Sequence, residues 1–232
     1  MNAERKKRIQ QRKEREKEQR RHEIIMKALE LFTSRGYDDT IMEDIALEAS
    51  LSKGTLYNYF DSKDDLYLAV ASIAIRKLNN HCEKIDHTEM TDLEHILATG
   101  YAIYDFSKRH PDLYDIIDDI RSKRLYFGDP SLEIRQRLMN GENLNRNEQE
   151  INKEILRYQK LINDPISEAI DKKSIRDDLS PIFITCTLVS LTSGLIKDLK
   201  YAEAFYEKLG VKNDEIIRIV FEWVVEGLKS RK

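Results

Sequence analysis

Residues that break helices are scarce in this chain, and that scarcity limits what it can fold into. Eight glycines and four prolines are spread over 232 residues, so long stretches run without a residue that ends a helix. Clean period-2 alternation, the mark of half-buried strands, occurs nowhere. Leu, Ile, Glu, Lys, Arg and Ala dominate, and all but Ile are good helix formers. The expected fold class is therefore all-α. With 41% hydrophobic and 35% charged residues, the balance is that of a soluble folded protein rather than a disordered one.

Capping signals divide the chain into helices. An apolar stripe at helical spacing starts at Ile24 and Ile25 and continues through Ala28, Leu31 and Phe32, and Gly36 can close that helix. Thr40 with Glu43 reads as a capping box opening a helix to about Ala49. Ser50-Leu51-Ser52 is a short turn, after which Ser52 can cap a second short helix through Phe60. Asp61 or Ser62 caps a long helix over Lys63–Cys82. Further helices are predicted over Asp92–Lys108, Asp112–Arg124, Leu132–Met139, Ile151–Ile170 (kinked at Pro165), Ile182–Lys200 and Asp214–Lys229, with a turn at Gly128-Asp129-Pro130.

The window Met42–Asp61 fits a helix-turn-helix position by position. Ala46 is small where two helices must cross closely, and Ile45, Ala49, Leu51, Leu56 and Tyr59 occupy the other core places. The ninth place, where the backbone turns with positive φ, is usually Gly and is here Ser50, a departure costing about 1 kcal/mol if the geometry is kept. The second helix offers Lys53, Gly54 and Thr55 in its first turn and Tyr57 and Asn58 in the next. First-turn residues of such a helix reach base edges in the major groove, and Gly54 lets the backbone approach. Lys53 can donate to guanine, and Thr55 can meet thymine or phosphate. Tyr57, Tyr59 and Lys63 suit phosphates on the flanks.

These residues carry a resemblance. The stretch GYDDTIMEDIALEASLSKGTLYNYFDSKDDL (36–66), and more broadly Ile24 to Leu66, resembles the DNA-binding region of the TetR/AcrR family of transcriptional regulators. The order HPDLYDII (110–117), IRDDLSP (175–181), SLTSGLIKDL (190–199) is weakly similar to that family's body. The resemblance implies three N-terminal helices for DNA, followed by a larger helical domain that binds a small molecule and dimerises through its last two long helices. It implies that Thr40 contacts phosphate, that Ser52, Lys53, Gly54, Thr55, Tyr57, Asn58 and Tyr59 form the operator-facing surface, and that Lys63 clamps a phosphate.

Charge is distributed unevenly. Residues 1–21 hold 10 Lys/Arg against 4 Glu, an excess of six positive charges, and the net −3 of the chain leaves the other residues at −9. This arm has one apolar residue, Ile9, and two readings: a solvated charge run, or an extra contact with flanking phosphates or the minor groove. The family supplies no role for it. Tyr101, Tyr104, Tyr114, Tyr126, Phe127, Tyr158 and Phe183 could be plain core or could line an effector pocket; Tyr101, Tyr104, Tyr126, Phe127, Tyr158 and Phe183 are the candidates carried forward.

Other chemistries find little support. His81, Cys82, His87 and His95 match no zinc spacing, so no metal and no cofactor are expected. Cys186 reads as a buried small residue, and two distant cysteines argue against a disulfide framework and for a reducing cytosol. There is no Gly-rich phosphate loop, GxSxG or HExxH, so no enzyme is expected. Pro181–Ile196 reads as too short and too polar to span a bilayer, and the charged N-terminus is no signal peptide, which predicts a cytoplasmic protein without a membrane.

One short recognition helix reads too few base pairs to find a genomic site, so a homodimer on a pseudo-palindromic double-stranded operator is expected. Val189, Ile196, Ile217, Phe221, Val224, Val225 and Leu228 supply apolar surface for that interface. The expected organisation is a basic arm (1–21), a DNA-binding domain (22–66) and an effector and dimerisation domain (67–232). The expected function is a repressor released by a small apolar or aromatic effector. The competing reading is a helical DNA-coating or partner-binding protein without an effector.

Overall fold

The computed structural model describes residues 2–121, 137, 140 and 143–229. Among them are helices and turns and no strand, the all-α architecture that the composition predicts. The helices are α1 (Asn2–Arg35), α2 (Met42–Glu48), α3 (Lys53–Tyr57), α4 (Lys63–Cys82), α5 (Asp92–Arg109), α6 (Pro111–Asp119), α7 (Arg146–Asp171), α8 (Pro181–Tyr201), α9 (Glu203–Lys208) and α10 (Asn213–Leu228). The apolar periods and Ser/Pro starts place the long helices after α1 within about five residues, whereas α1 begins at Asn2, well before the stripe that starts at Ile24. Helix α7 runs through Pro165 uninterrupted. Helix α9 escaped the sequence because it buries none of its residues and so carries no stripe. The predicted helix Leu132–Met139 and the turn at 128–130 lie outside the fully described residues, as do Tyr126 and Phe127.

The chain divides into two compact units, Met1–Ala74 with Asp115–Asn152, and Ile75–Tyr114 with Lys153–Lys232. In the first, α2 packs against both α1 and α3. Ile24, Ala28 and Phe32 of α1, Ile45 and Ala46 of α2, Leu56 and Phe60 around α3, and Leu66 and Val70 of α4 form its core. Each fully buried Leu, Ile or Phe contributes about 1.5–3 kcal/mol relative to exposure. Phe32, Tyr37 and Tyr67 add an edge-on aromatic cluster, with centroids 5.0 Å apart for Phe32–Tyr67 and 4.8 Å for Tyr37–Tyr67. Gly36 leaves α1 at φ 83°, the left-handed step expected of it.

In the second unit α5 packs against α8 and α10, and α9 against α8. The α5–α10 approach depends on Gly100, where a Cβ would lie 2.9 Å from the Phe221 ring. Helix α5 opens with a capping box that the sequence reading missed, Thr91 and Glu94 exchanging bonds. By length and composition α8, with 21 residues, could cross a membrane, which corrects the reading of that stretch as too short and polar. Its inner face, including Ile184, Thr192, Ser193, Ile196 and Leu199, is buried within the unit.

A buried carboxylate ties α4 to α7. Glu154 accepts from Arg76 Nε at 2.9 Å and from Asn79 Nδ2 at 3.1 Å, and pairs with Arg157 at 3.2 Å. Burial alone would raise the Glu154 pKa, but the hydrogen bonds from Arg76 and Asn79 outweigh it and hold it below the ordinary carboxylate value. A lowered folded-state pKa contributes stability above the unfolded value and loses it as pH falls through the folded one. Urea denaturation between about pH 7 and pH 3 should therefore show a steeper acid loss for the native chain than for Glu154→Gln. Glu154→Ala should cost about 2–4 kcal/mol at neutral pH by leaving its donors unpaired. Parallel pH curves for native chain and Glu154→Gln would remove Glu154 from the acid response.

Candidate nucleic-acid interface

The recognition unit begins where α2 stops. The amide of Ser50 donates to the Leu47 carbonyl at 2.9 Å, and that of Leu51 to the Ala46 carbonyl at 2.8 Å. This is the paired C-terminal bonding of a Schellman turn, and it requires a left-handed residue between the two. Ser50 fills that place at φ 54°, so the geometry is kept without the glycine. One residue later the Ser52 hydroxyl accepts from the Thr55 amide at 3.1 Å and caps α3, as the sequence predicts. Likewise the Ser62 hydroxyl accepts from the Asp65 amide at 3.0 Å at the start of α4.

Short as it is, α3 has two distinct faces. Leu56 and Phe60 are fully buried, which fixes the helix on α2 and leaves Ser52, Lys53, Gly54, Tyr57 and Asn58 exposed and Thr55 and Tyr59 half-buried. The Lys53 ammonium pairs with Glu43 of α2 and stands 5.9 Å from the centre of the Tyr57 ring. Both partners shift accordingly, the Glu43 carboxyl down through its bond to Lys53 and the Lys53 ammonium up through its bond to Glu43. An exposed pair of this kind holds its lysine loosely, and a phosphate or guanine edge can compete for it. Nothing within 4 Å would meet a Cβ on Gly54. No contact among the described residues requires that glycine.

Two residues expected to contact phosphate make hydrogen bonds within the fold. Thr40 is fully buried, and its hydroxyl donates to the Gly36 carbonyl at 2.7 Å. It forms no capping box with Glu43, because the N-cap of α2 is Ile41, without a side-chain cap. Lys63 spends its ammonium on the same loop, donating to the carbonyls of Tyr37 at 2.9 Å and Thr40 at 3.0 Å and lying 4.1 Å from the centre of the Tyr37 ring. The turn after α1 exposes carbonyls with no helical partner, and a three-donor ammonium at the start of α4 satisfies them. Lys63 therefore holds the α1–α2 loop in this structure.

The remaining candidates are scattered over the second unit. Tyr104 is buried, its hydroxyl donating to Asp214 at 2.8 Å beside Lys108, and burial together with that bond raises its pKa. Tyr101 is exposed and edge-on to Phe221 at 4.8 Å, Tyr114 is buried, and Tyr158 is half-buried. None of these four lines the small apolar pocket of about 40 Å³ between α5, α7, α8 and α10, where Ile96, Gly100, Ile103, Ile162, Leu188 and Phe221 meet. Phe183 instead borders an open groove of about 330 Å³ with Leu191, Trp223 and Arg176.

Of the interface candidates, Ile196, Ile217, Phe221 and Leu228 are buried inside their own unit, and Val189, Val224 and Val225 are half-buried. The outward large apolar residues of α8 and α10 include Ile182 (61% exposed), Phe183 (56%), Leu191 (48%), Tyr201 (76%) and Trp223 (70%). Cys186, expected to be buried, is exposed; Cys82 is buried, which pushes its thiol up to about 12. His81 stands 3.1 Å from Asp105, His87 and His95 stack at 3.6 Å, and no group of three or more ligating side chains occurs among the described residues.

Residues 24–70 match the family described as bacterial regulatory proteins, tetR family. The chain is 32% identical over 101 residues to the HTH-type transcriptional activator FasR of Mycolicibacterium smegmatis, covering 44% of this chain and 46% of that one. It is 40% identical over 57 residues to the negative regulator of the biofilm operon, IcaR, of Staphylococcus aureus strain Newman, covering 25% and 31%. The chain thus matches less than half the length of these curated relatives. A likeness over most of the chain comes from structure: the transcriptional regulator FadR from Bacillus subtilis, solved in complex with stearoyl-CoA, superposes with a TM-score of 0.59 at 18% identity, covering 89% of this chain and 98% of that one.

Ser50 supplies a test of the turn. Ser50→Gly should raise stability by about 1 kcal/mol in thermal or urea unfolding, because the left-handed conformation costs a side chain and not a glycine. A neutral or destabilising result would mean that Ser50 does not hold positive φ in solution.

Proposed function

We propose that this chain, whose residues 24–70 form the helix-turn-helix domain of the tetR family of bacterial regulatory proteins, is a transcriptional regulator that binds a pseudo-palindromic operator as a homodimer and responds to a small apolar effector. The observation that carries the DNA reading is the outer face of α3. Lys53, Gly54, Tyr57 and Asn58 are exposed together on a helix anchored by two fully buried residues, and Gly54 has open space in front of it. A glycine in an exposed helical position costs stability relative to alanine, by about 0.5–1 kcal/mol. A backbone that must meet another molecule closely explains why it is there. Lys53 and Thr55 supply base-edge and phosphate chemistry, and Tyr57 and Tyr59 suit the flanking backbone.

Dimerisation rests on the exposed residues of α8 and α10. Phe183, Leu191 and Trp223 line one open groove and face solvent, and a second copy related by a two-fold would cover the same patch on each partner. For the effector, the small apolar pocket between α5, α7, α8 and α10 has only Thr99 and Thr192 as polar lining and no charged residue. Such a lining suits an apolar chain or ring system, and at about 40 Å³ the cavity must open, with Phe221 leaving its seat on Gly100, to admit one. The B. subtilis regulator that this fold resembles was solved with stearoyl-CoA. An activator and a negative regulator are both among the relatives. The sign of regulation then follows from where the operator lies relative to the promoter.

Footprinting of the purified chain on DNA from its own gene neighbourhood should protect a discrete two-fold site. Uniform protection without sequence preference would support a coating protein instead. Gly54→Ala should leave thermal stability unchanged or slightly raised and weaken that site about tenfold or more. Unchanged affinity would refute the close approach at Gly54. The double variant Leu191→Asp, Trp223→Asp should sediment as a monomer where the native chain sediments as a dimer; a dimer persisting in the variant would place the interface elsewhere.

A further inference from the structure

The charged segment before the helix-turn-helix has a fixed direction. Helix α1 is continuous over Asn2–Arg35, so residues 2–23 extend the same helix that buries Ile24, Ala28 and Phe32. Its root is braced within the first unit. Glu18 accepts two hydrogen bonds from the Arg146 guanidinium, at 2.5 and 2.6 Å. Arg21 is buried, hydrogen-bonds Asn147, stands 3.6 Å from Glu150 and lies over the Phe60 ring at 5.3 Å. Phe60 follows Asn58 by two residues, so the arm leaves the protein beside the end of the recognition helix.

Beyond the brace, packing explains nothing about the sequence. Ile9, the one apolar side chain between residues 4 and 23, is 48% exposed. Arg5, Arg8, Arg12 and Arg15 recur at i, i+3, i+7 and i+10, which puts four guanidinium groups in one stripe. Lys6, Lys13 and Lys17 form a neighbouring stripe at i, i+7 and i+11. All seven are exposed. Arg12 pairs with Glu16 at 2.7 Å and Arg8 with Glu4 at 3.8 Å. Among the described residues Arg5, Lys6, Lys13, Arg15 and Lys17 have no carboxylate within 4.0 Å. Like charges three and four residues apart oppose helix formation. A polyanion lying along the stripe would remove that penalty and release its own counterions.

We propose that residues 2–17 are a second DNA-contacting element, a cationic helix that runs along the phosphates flanking the bases met by α3 and adds affinity without adding sequence preference. Sixteen residues span about 24 Å of helix axis, most of the ~34 Å length of one duplex turn. The proposal rests on the DNA-binding reading of α3 but can fail separately from it.

The test measures fluorescence anisotropy of the full chain on a mixed-sequence duplex of about 40 bp, with salt varied from about 50 to 200 mM. Combining Arg5→Ala, Arg8→Ala, Arg12→Ala and Arg15→Ala should lower the slope of log affinity against log salt by about 2–4, since each lost phosphate contact removes ~0.9. The four matching Arg→Lys changes should keep the native slope, which separates charge from any structural effect of the substitutions. If the alanine variant keeps the native slope while Lys53→Ala with Tyr57→Ala still loses affinity, the arm proposal is overturned and the role of α3 stands. Failure of the native chain to bind any duplex at low salt overturns both.

Discussion

A buried guanidinium holds the N-terminal unit together. Arg21 sits on α1 one turn before the apolar stripe starts, is almost wholly buried, and makes contact in three directions: Asn147, the carboxylate of Glu150 and the face of Phe60. Burial lowers its pKa and Glu150 opposes that shift, but an arginine remains charged throughout the accessible range. A charge in such a place is tolerated only when its donors are matched. Asn147 in turn donates to Asp65 at 2.8 Å, and Asn145 donates to the same carboxylate oxygen at 3.0 Å. The direction of α1, the end of the recognition helix and the first turn of α4 are therefore fixed by one polar cluster, whose members come from residues 21, 60, 65 and 145–150.

That cluster also marks the limit of what the sequence makes legible. Helix boundaries, the helix-turn-helix window and the caps at Ser52 and Ser62 are local, and their patterns lie within a few residues of one another. Asp65 and Asn147 are 82 positions apart, and nothing in either neighbourhood names the other. The bonds that Thr40 and Lys63 make inside the fold are hidden for a related reason. Both residue types suit phosphate, but their direction depends on the carbonyls left open by the turn at Gly36–Thr40, a tertiary circumstance. In α8 and α10 the apolar residues run nearly all round, so period alone cannot separate inward Ile196, Ile217 and Phe221 from outward Leu191 and Trp223.

Two departures from local preference lie in or beside α3. Ser50 holds a conformation that costs a side chain energy. Gly54 occupies a helical position that would be more stable with almost any other residue, and no neighbour justifies it. Gly100 has such a neighbour, Phe221, and its smallness is explained within the fold. Departures from local preference that lack an internal reason point outward, to what the surface must meet. The contrast between Gly54 and Gly100 carries more functional information than either residue's type.

Helices α4 and α7 are tied twice. In the first unit Asp65 is held by Asn147, and in the second Asn79 and Arg76 are held by Glu154. Asn79 Oδ1 is buried without a hydrogen-bond partner among the described residues, so the second tie is incomplete in this state. An unpaired buried acceptor raises the energy of the arrangement that contains it.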